Sequence, residues 1–119
     1  MIYEIVITNK SHYFVQTNII DNQAYQFEFS FNSRDERWRL SVLDMKDNYL
    51  IRNIKILPFV GMFKRYKIEN LFAGEIVGFN NKNIYEYPNF ENLGNEFKIY
   101  YFSTEAIDKI KQGELWNNI

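Results

Sequence analysis

The chain has 119 residues, of which 46% are hydrophobic and 18% aromatic, and its 14 basic and 15 acidic residues leave a net charge of -1. This length fits one compact domain, and the composition is too apolar for an intrinsically disordered chain. The near-neutral charge argues against a dedicated nucleic-acid binder, because such a protein gains most of its affinity by neutralising phosphates. Since the chain has no cysteine, disulfides, thiolate zinc sites, iron–sulfur clusters and cysteine nucleophiles are excluded.

Targeting and membrane signals are missing as well. No apolar run approaches the about 18 residues that a membrane-spanning helix needs. The first residues lack the basic start and apolar middle of a secretory signal. The sequence therefore predicts a soluble protein that is made in a cytoplasm.

The first half of the chain shows the alternation of β-strands. Two apolar, β-branched runs, 2–8 and 13–17, are separated by a polar turn. The run 25–32 is the clearest strand, because its aromatic residues alternate with polar ones, which is the pattern of a strand with one buried face. These aromatic residues are Tyr25, Phe27, Phe29 and Phe31.

A second alternating strand begins at Arg37 after a polar break, and the spacing predicts a hairpin with a loop of about four residues. Arg37 and Arg39 should share the solvent-exposed face of this strand. Its apolar face should pack against the aromatic strand to form the core. The predicted core residues are Phe27, Phe29, Trp38, Leu40 and Val42.

Further strands are predicted along the rest of the chain. A strand at 50–57 would complete a meander, after a turn rich in Asp and Asn at 44–48. Residues 60–70 are irregular and have room for a short helical turn. The last two strands are predicted at 74–80 and 97–102, with a polar loop between them.

The end of the chain changes to a helical pattern. Thr104 is the predicted N-cap, Ile107 and Ile110 share one face, and Gly113 is the predicted stop before an apolar hook at 115–116. We therefore predict an all-β, mainly antiparallel fold, a small twisted barrel or sandwich of about six to seven strands with one short C-terminal helix. Residues 1–103 form the predicted β-rich domain, and residues 104–119 a helical extension.

Charge is distributed unevenly along the chain. The stretch 34–67 holds nine of the 14 basic and four of the 15 acidic residues, so it carries +5, whereas the remainder carries -6. Such a distribution arises from solvated strand faces that differ, or it marks a surface that meets a charged neighbour. The candidate partner interface consists of Arg34, Arg37, Arg39, Lys64, Arg65, Tyr66 and Lys67.

The sequence shows no catalytic or cofactor motif. His12 is the one histidine and has no Cys or second His to complete a metal site or a triad. The glycines form neither a phosphate-binding loop nor a dinucleotide fingerprint. The Asp and Asn residues at 44–48 lack the glycine and the distal Glu of a calcium loop. We therefore predict no metal, no cofactor and no enzymatic activity.

The aromatic residues allow a second interpretation. Small OB-type barrels stack single-stranded bases on exposed aromatic rings lined by basic residues. Only Tyr66, with Lys64, Arg65 and Lys67 around it, fits that pattern, because most other aromatic residues alternate as a core face does. A single-strand nucleic-acid binder and a carbohydrate or receptor-binding module therefore stay open as alternatives to a structural protein.

The order of the motifs is more informative than any one of them. An aromatic strand (25–32) leads into an Arg-containing turn (33–37) and then into a strand that begins around Trp38. Later, Gly74 precedes a strand, and a Leu-Gly pair at 93–94 precedes the last one. Over roughly residues 1–103, this order resembles the phage baseplate plug family, also called baseplate hub plug proteins.

The resemblance implies a small structural protein in the baseplate hub of a phage or phage-derived tail. Such a plug would close or line the lumen of the tail tube. Its expected partners are hub and spike proteins in a hetero-oligomeric assembly, with the tape-measure protein as a further candidate. The implied location is the virion tail after assembly in the host cytoplasm, without a membrane or a specific nucleic acid as partner.

Overall fold

The structure, a computed structural model, describes residues 1–111. Within this range, seven strands form two antiparallel sheets, which pack face to face as a sandwich rather than a closed barrel, and one short helix follows. The predicted all-β fold with a C-terminal helix is therefore confirmed. The elements are β1 (Ile2–Ile5), β2 (Tyr13–Ile20), β3 (Gln23–Asn32), β4 (Arg37–Leu43), β5 (Tyr49–Lys55), β6 (Glu75–Asn80), β7 (Phe97–Phe102) and α1 (Thr104–Lys111).

The first sheet is a four-stranded meander in the order β2-β3-β4-β5. The predicted four-residue loop between β3 and β4 is confirmed, and its geometry follows from its side chains. Asn32 Oδ1 accepts from the Arg34 N–H at 2.8 Å, and Asp35 Oδ1 accepts from the Arg37 N–H at 3.1 Å. These local bonds replace main-chain pairing in the loop, and Glu36 adopts φ 55° to close it.

The second sheet joins the two ends of the described chain, in the order β1-β7-β6. Ile2 lies opposite Phe102, and Ile5 lies opposite Ile99. The polar loop of residues 81–96 connects β6 to β7 and forms no strand of its own. No local pattern in the sequence specifies the pairing of β1 with β7, because the paired residues are about a hundred positions apart.

The core lies between the two sheets. The first sheet contributes the five residues predicted for it, each at most 2% exposed, and the second contributes residues such as Ile99 and Tyr101, both 0% exposed. Aromatic rings from neighbouring strands pack together, as in the stacked pair of Phe14 and Phe29 with centroids 4.8 Å apart. Aromatic burial on this scale supplies most of the driving force for folding a domain of this size.

Ser41 is buried, although it alternates with the core residues of β4 in the sequence. The register shifts between Leu40 and Val42, so that β5 has one residue more than β4 at this point. Asn53 takes up the extra length with φ 57° and donates its N–H to Ser41 Oγ at 2.9 Å. The bulge thus covers Ser41 and satisfies its hydroxyl, so a polar residue is buried without an unpaired group.

The ends of several elements differ from the prediction. β2 runs to Ile20 rather than residue 17, because Asn18 accepts a hydrogen bond from Gln16 and is accommodated inside the sandwich. The N-cap of α1 is Ser103 rather than Thr104, since Ser103 Oγ accepts from the Ala106 N–H at 3.3 Å. The predicted helix stop and apolar hook at 113–116 lie outside the described residues. Within residues 1–111, no helix is long and apolar enough to cross a membrane.

One buried hydroxyl connects the two sheets. Tyr101 in β7 donates to Asp21 Oδ2 at 2.5 Å, and Asp21 lies in the turn between β2 and β3. The same hydroxyl accepts from the Gly74 N–H at 3.0 Å. Burial, with the carboxylate of Asp21 as the next contribution, raises the pKa of Tyr101 above its usual value.

We expect Tyr101→Phe to lower the free energy of unfolding by about 1–3 kcal/mol at neutral pH, because a buried N–H and a carboxylate lose their partner. In the parent, stability should fall as pH rises above about 10, since tyrosine then ionises in the unfolded chain while folded Tyr101 stays protonated. The Tyr101→Phe variant should lose less stability than the parent over this rise in pH. Urea unfolding between pH 8 and 11 measures both effects.

Burial also raises the pKa of Tyr3 and of Tyr25, so part of the pH dependence should remain in the variant. Parallel stability curves for parent and variant would show that Tyr101 makes no contribution to it.

Candidate interaction surface

The predicted interface residues fall into two groups, which we name by their position. The hairpin group is Arg34, Arg37 and Arg39, on and beside the β3–β4 turn. The turn group is Lys64, Arg65, Tyr66 and Lys67, on and directly after a 3₁₀ turn at Lys64–Tyr66. Among the described residues, no hydrogen bond, ion pair or ring contact joins the two groups.

Acidic neighbours offset much of the charge of the hairpin group. Arg39 forms a two-pronged pair with Asp35, with bonds of 2.7 and 3.3 Å, and this hydrogen-bonded guanidinium lowers the pKa of Asp35 below its usual value. Arg37 lies over the Tyr87 ring, 4.2 Å from its centroid. Because Glu36 also lies in the turn, residues 34–39 together carry only one excess positive charge.

The turn group is more exposed and its charge is less compensated. All four of its residues are exposed, and within residues 1–111 none forms an ion pair. Arg65 lies over the ring of Tyr66, 5.1 Å from its centroid. This contact covers one face of the ring that the nucleic-acid hypothesis needs for base stacking.

Glu75, which sequence analysis did not single out, holds the turn group in place. Its carboxylate is buried and accepts three main-chain bonds: from Phe63 and Ile76 at 2.8 Å, and from Lys64 at 3.0 Å. Gly61 leaves room for it, since a Cβ there would lie 2.5 Å from Glu75 Oε2. The signal in the sequence was a lone acidic residue at the start of an otherwise apolar strand, where an unpaired charge would be costly.

An aromatic cleft lies beside the hairpin group. It has a volume of about 450 Å³ and is lined by His12, Phe31, Tyr87 and Phe90, with the acidic Glu36 and Glu91 also in its wall. His12 is exposed and stacks on Phe90, with ring centroids 4.0 Å apart. No cluster of three metal-ligating side chains exists in the described part of the chain.

The wall of this cleft is built by the 81–96 loop. Phe90 stacks on Trp38 with parallel rings, and Trp38 Nε1 donates to the Asn89 carbonyl at 2.8 Å. The loop therefore covers the end of the core, a role that its polar sequence does not reveal.

The sequence matches a model of a known protein family. A family model described as Cyanophage baseplate Pam3 plug gp18 matches residues 2–105. The chain belongs to this family. The match covers all seven strands and ends just inside α1. No curated protein matches the chain.

Membership of the plug family has direct consequences. It implies a structural protein of a phage baseplate, located in the virion tail and assembled with other baseplate proteins. The resemblance noted from the order of strands and turns is therefore confirmed.

Proposed function

We propose that the chain is a plug that closes or lines the lumen of the tail tube and contacts hub and spike proteins there. The tape-measure protein is a further candidate partner. The turn group supports a contact with these proteins, because Lys64, Arg65 and Lys67 are exposed to solvent and form no ion pairs within residues 1–111. Family membership supports the location in the baseplate.

The partner surface at the turn group should be acidic. Lysine and arginine form their strongest hydrogen bonds with carboxylates. The anchoring by Glu75 means that these side chains start from a fixed main chain, which reduces the ordering that binding requires. The hairpin group contributes less, because Asp35 already pairs with Arg39.

Charge reversal tests this surface. Changing Lys64, Arg65 and Lys67 to Glu should reduce incorporation of the protein into tails at least tenfold, because like charges would then meet at the contact. A variant with Arg34 and Arg37 changed to Glu is the matched control at the hairpin group and should show a smaller loss. The amount of the protein in purified tails, measured by quantitative mass spectrometry, gives the result.

The turn-group variant should keep the melting temperature of the parent within a few degrees, since exposed substitutions rarely change stability by more than about 0.5 kcal/mol. Normal incorporation of the turn-group variant would remove this surface from the proposal. Density for the chain away from the tail axis in a reconstruction of intact tails would contradict the lumen location.

Single-strand nucleic-acid binding is the competing function. For a plug, the parent protein should show negligible binding to single-stranded DNA at physiological salt. Tight binding that weakens steeply with added salt would overturn the proposal, because that salt dependence is the mark of phosphate neutralisation.

A further inference from the structure

The four-stranded sheet has β2 at one edge and β5 at the other. β2 is eight residues long and carries no charged side chain. On its outer face, Tyr13, Val15 and Ile19 are 57, 44 and 68% exposed. Edge strands are normally protected against pairing with another strand by charges, prolines or bulges. β2 has none of these, and its pairing with β3 shows no register shift.

The main chain of β2 alternates between bonded and open groups. The Phe31 N–H donates to the His12 carbonyl at 2.7 Å, which defines a hydrogen-bonded pair at the start of the strand. Hydrogen-bonded and non-hydrogen-bonded pairs alternate along an antiparallel ladder. In the β2–β3 register, the main-chain groups of Phe14 and Gln16 therefore point toward β3. The groups of Tyr13, Val15, Thr17 and Ile19 therefore point to the open edge.

Partners within the chain reach only the two ends of this edge. The Tyr13 carbonyl accepts from Ser11 Oγ at 2.8 Å, and the Ile19 carbonyl accepts a long bond of 3.5 Å from the Tyr3 hydroxyl. Val15 and Thr17, in the middle, have no main-chain partner among the described residues. An open donor and acceptor row with an apolar face is the geometry that takes up an added strand.

We infer that β2 pairs with β2 of a second copy of this chain, antiparallel, about a two-fold axis at Gln16. This register places Val15 opposite Thr17 of the second copy and Tyr13 opposite Ile19 of the second copy. Both are hydrogen-bonded pairs that use the open groups, and both bring uncharged side chains together on the outer face. The result is a continuous sheet of eight strands.

The charges that flank β2 favour the same arrangement. The nearest charged residues are Lys10 before the strand and Asp21 after it. Asp21 Oδ2 already accepts from Tyr101, but Oδ1 has no partner among the described residues. Antiparallel pairing about Gln16 would bring Lys10 of one copy toward this second oxygen of Asp21 in the other copy, at both ends of the interface. A parallel arrangement would place like charges together, so complementarity selects the two-fold pair.

Concentration-dependent measurements on the purified chain test this inference. The molar mass from light scattering should rise from 14.5 kDa toward twice that value as the concentration increases. In amide hydrogen exchange, the Val15 and Thr17 amides should exchange at least tenfold more slowly at high concentration than at low concentration. The Phe14 and Gln16 amides should be protected at both concentrations, because they already bond to β3.

Lysine substitutions at the edge provide the matched comparison. Val15→Lys and Thr17→Lys should keep the chain monomeric at every concentration, since the two-fold pair would bury like charges. Ile84→Lys, at an exposed loop position, is the control and should associate like the parent. Normal melting temperatures of the lysine variants would show that they act on the interface and not on the fold.

Two results would overturn the inference. One is a parent chain that stays monomeric, with fast Val15 and Thr17 exchange, at all concentrations. The other is protection of these amides that appears only when another tail protein is added, which would assign the edge to a different partner. Neither result bears on the turn group, so the proposed function and this inference can fail separately.

Discussion

Replacing Trp38 by alanine should lower the free energy of unfolding by about 3–5 kcal/mol, the range for truncating a large buried aromatic side chain. Trp38 is 2% exposed and packs between the sheet and the 81–96 loop. Its ring lies edge-on to Phe14 at 5.9 Å and stacks on Phe90 at 6.0 Å. The substitution would also leave the Asn89 carbonyl without the indole N–H. Thermal unfolding should show a drop in melting temperature of roughly 10 °C or more.

Two further variants separate the contributions of Trp38. Trp38→Phe keeps a ring in the core but loses the hydrogen bond, so its cost should be smaller, about 1–2 kcal/mol. Tyr66→Ala removes an exposed aromatic ring and should melt like the parent. If Trp38→Ala also melted like the parent, the packing of the loop over the core would have to be abandoned.

Glu75→Ala is expected to cost about 3 kcal/mol or more. The substitution leaves the N–H groups of Phe63, Lys64 and Ile76 without their acceptor, and each buried unsatisfied donor costs about 1–3 kcal/mol unless water reaches it. It also opens the space beside Gly61 that the side chain fills. Urea unfolding measures the loss of stability.

The geometry of Glu75 predicts a graded series. Glu75→Gln retains an oxygen for two of the three bonds and places an NH₂ group toward the Lys64 N–H, so its cost should be intermediate. Glu69→Ala, an exposed acidic residue near the turn group, is the control and should have little effect. Faster amide exchange at Lys64 in Glu75→Ala would show that the carboxylate anchors the turn group. An Ala variant as stable as Glu69→Ala would contradict that role.

The elements of the first sheet were predictable because their signals are local. The alternation of Phe27 and Phe29 with polar residues identifies β3 and its buried face, since side chains of a strand alternate with period two. The polar break after Asn32 then specifies a hairpin, because neighbouring strands with a short connection pair antiparallel. The core residues of β3 and β4 are buried as the alternation predicted.

The candidate surface was predictable only in part. The basic residues were visible in the sequence, but their compensation was not, since the pair of Arg39 with Asp35 depends on the shape of the hairpin. The structural role of Glu75 as the anchor of the turn group was also not visible in the sequence. The N–H groups of Phe63 and Lys64, which donate to its carboxylate, come from a segment more than ten residues away that has no regular pattern.

The sequence by itself determined that this protein is a β-rich domain, and the order of its strands and turns resembled the baseplate plug family. Composition, period-two alternation and the order of turns are properties of neighbouring residues, so they can be detected without the fold. The tertiary structure alone decided that β1 pairs with β7, that the 81–96 loop packs on Trp38, and that β2 is left as an open edge. These outcomes depend on contacts between segments far apart in the chain, whose free energies are set by mutual packing and not by local preference.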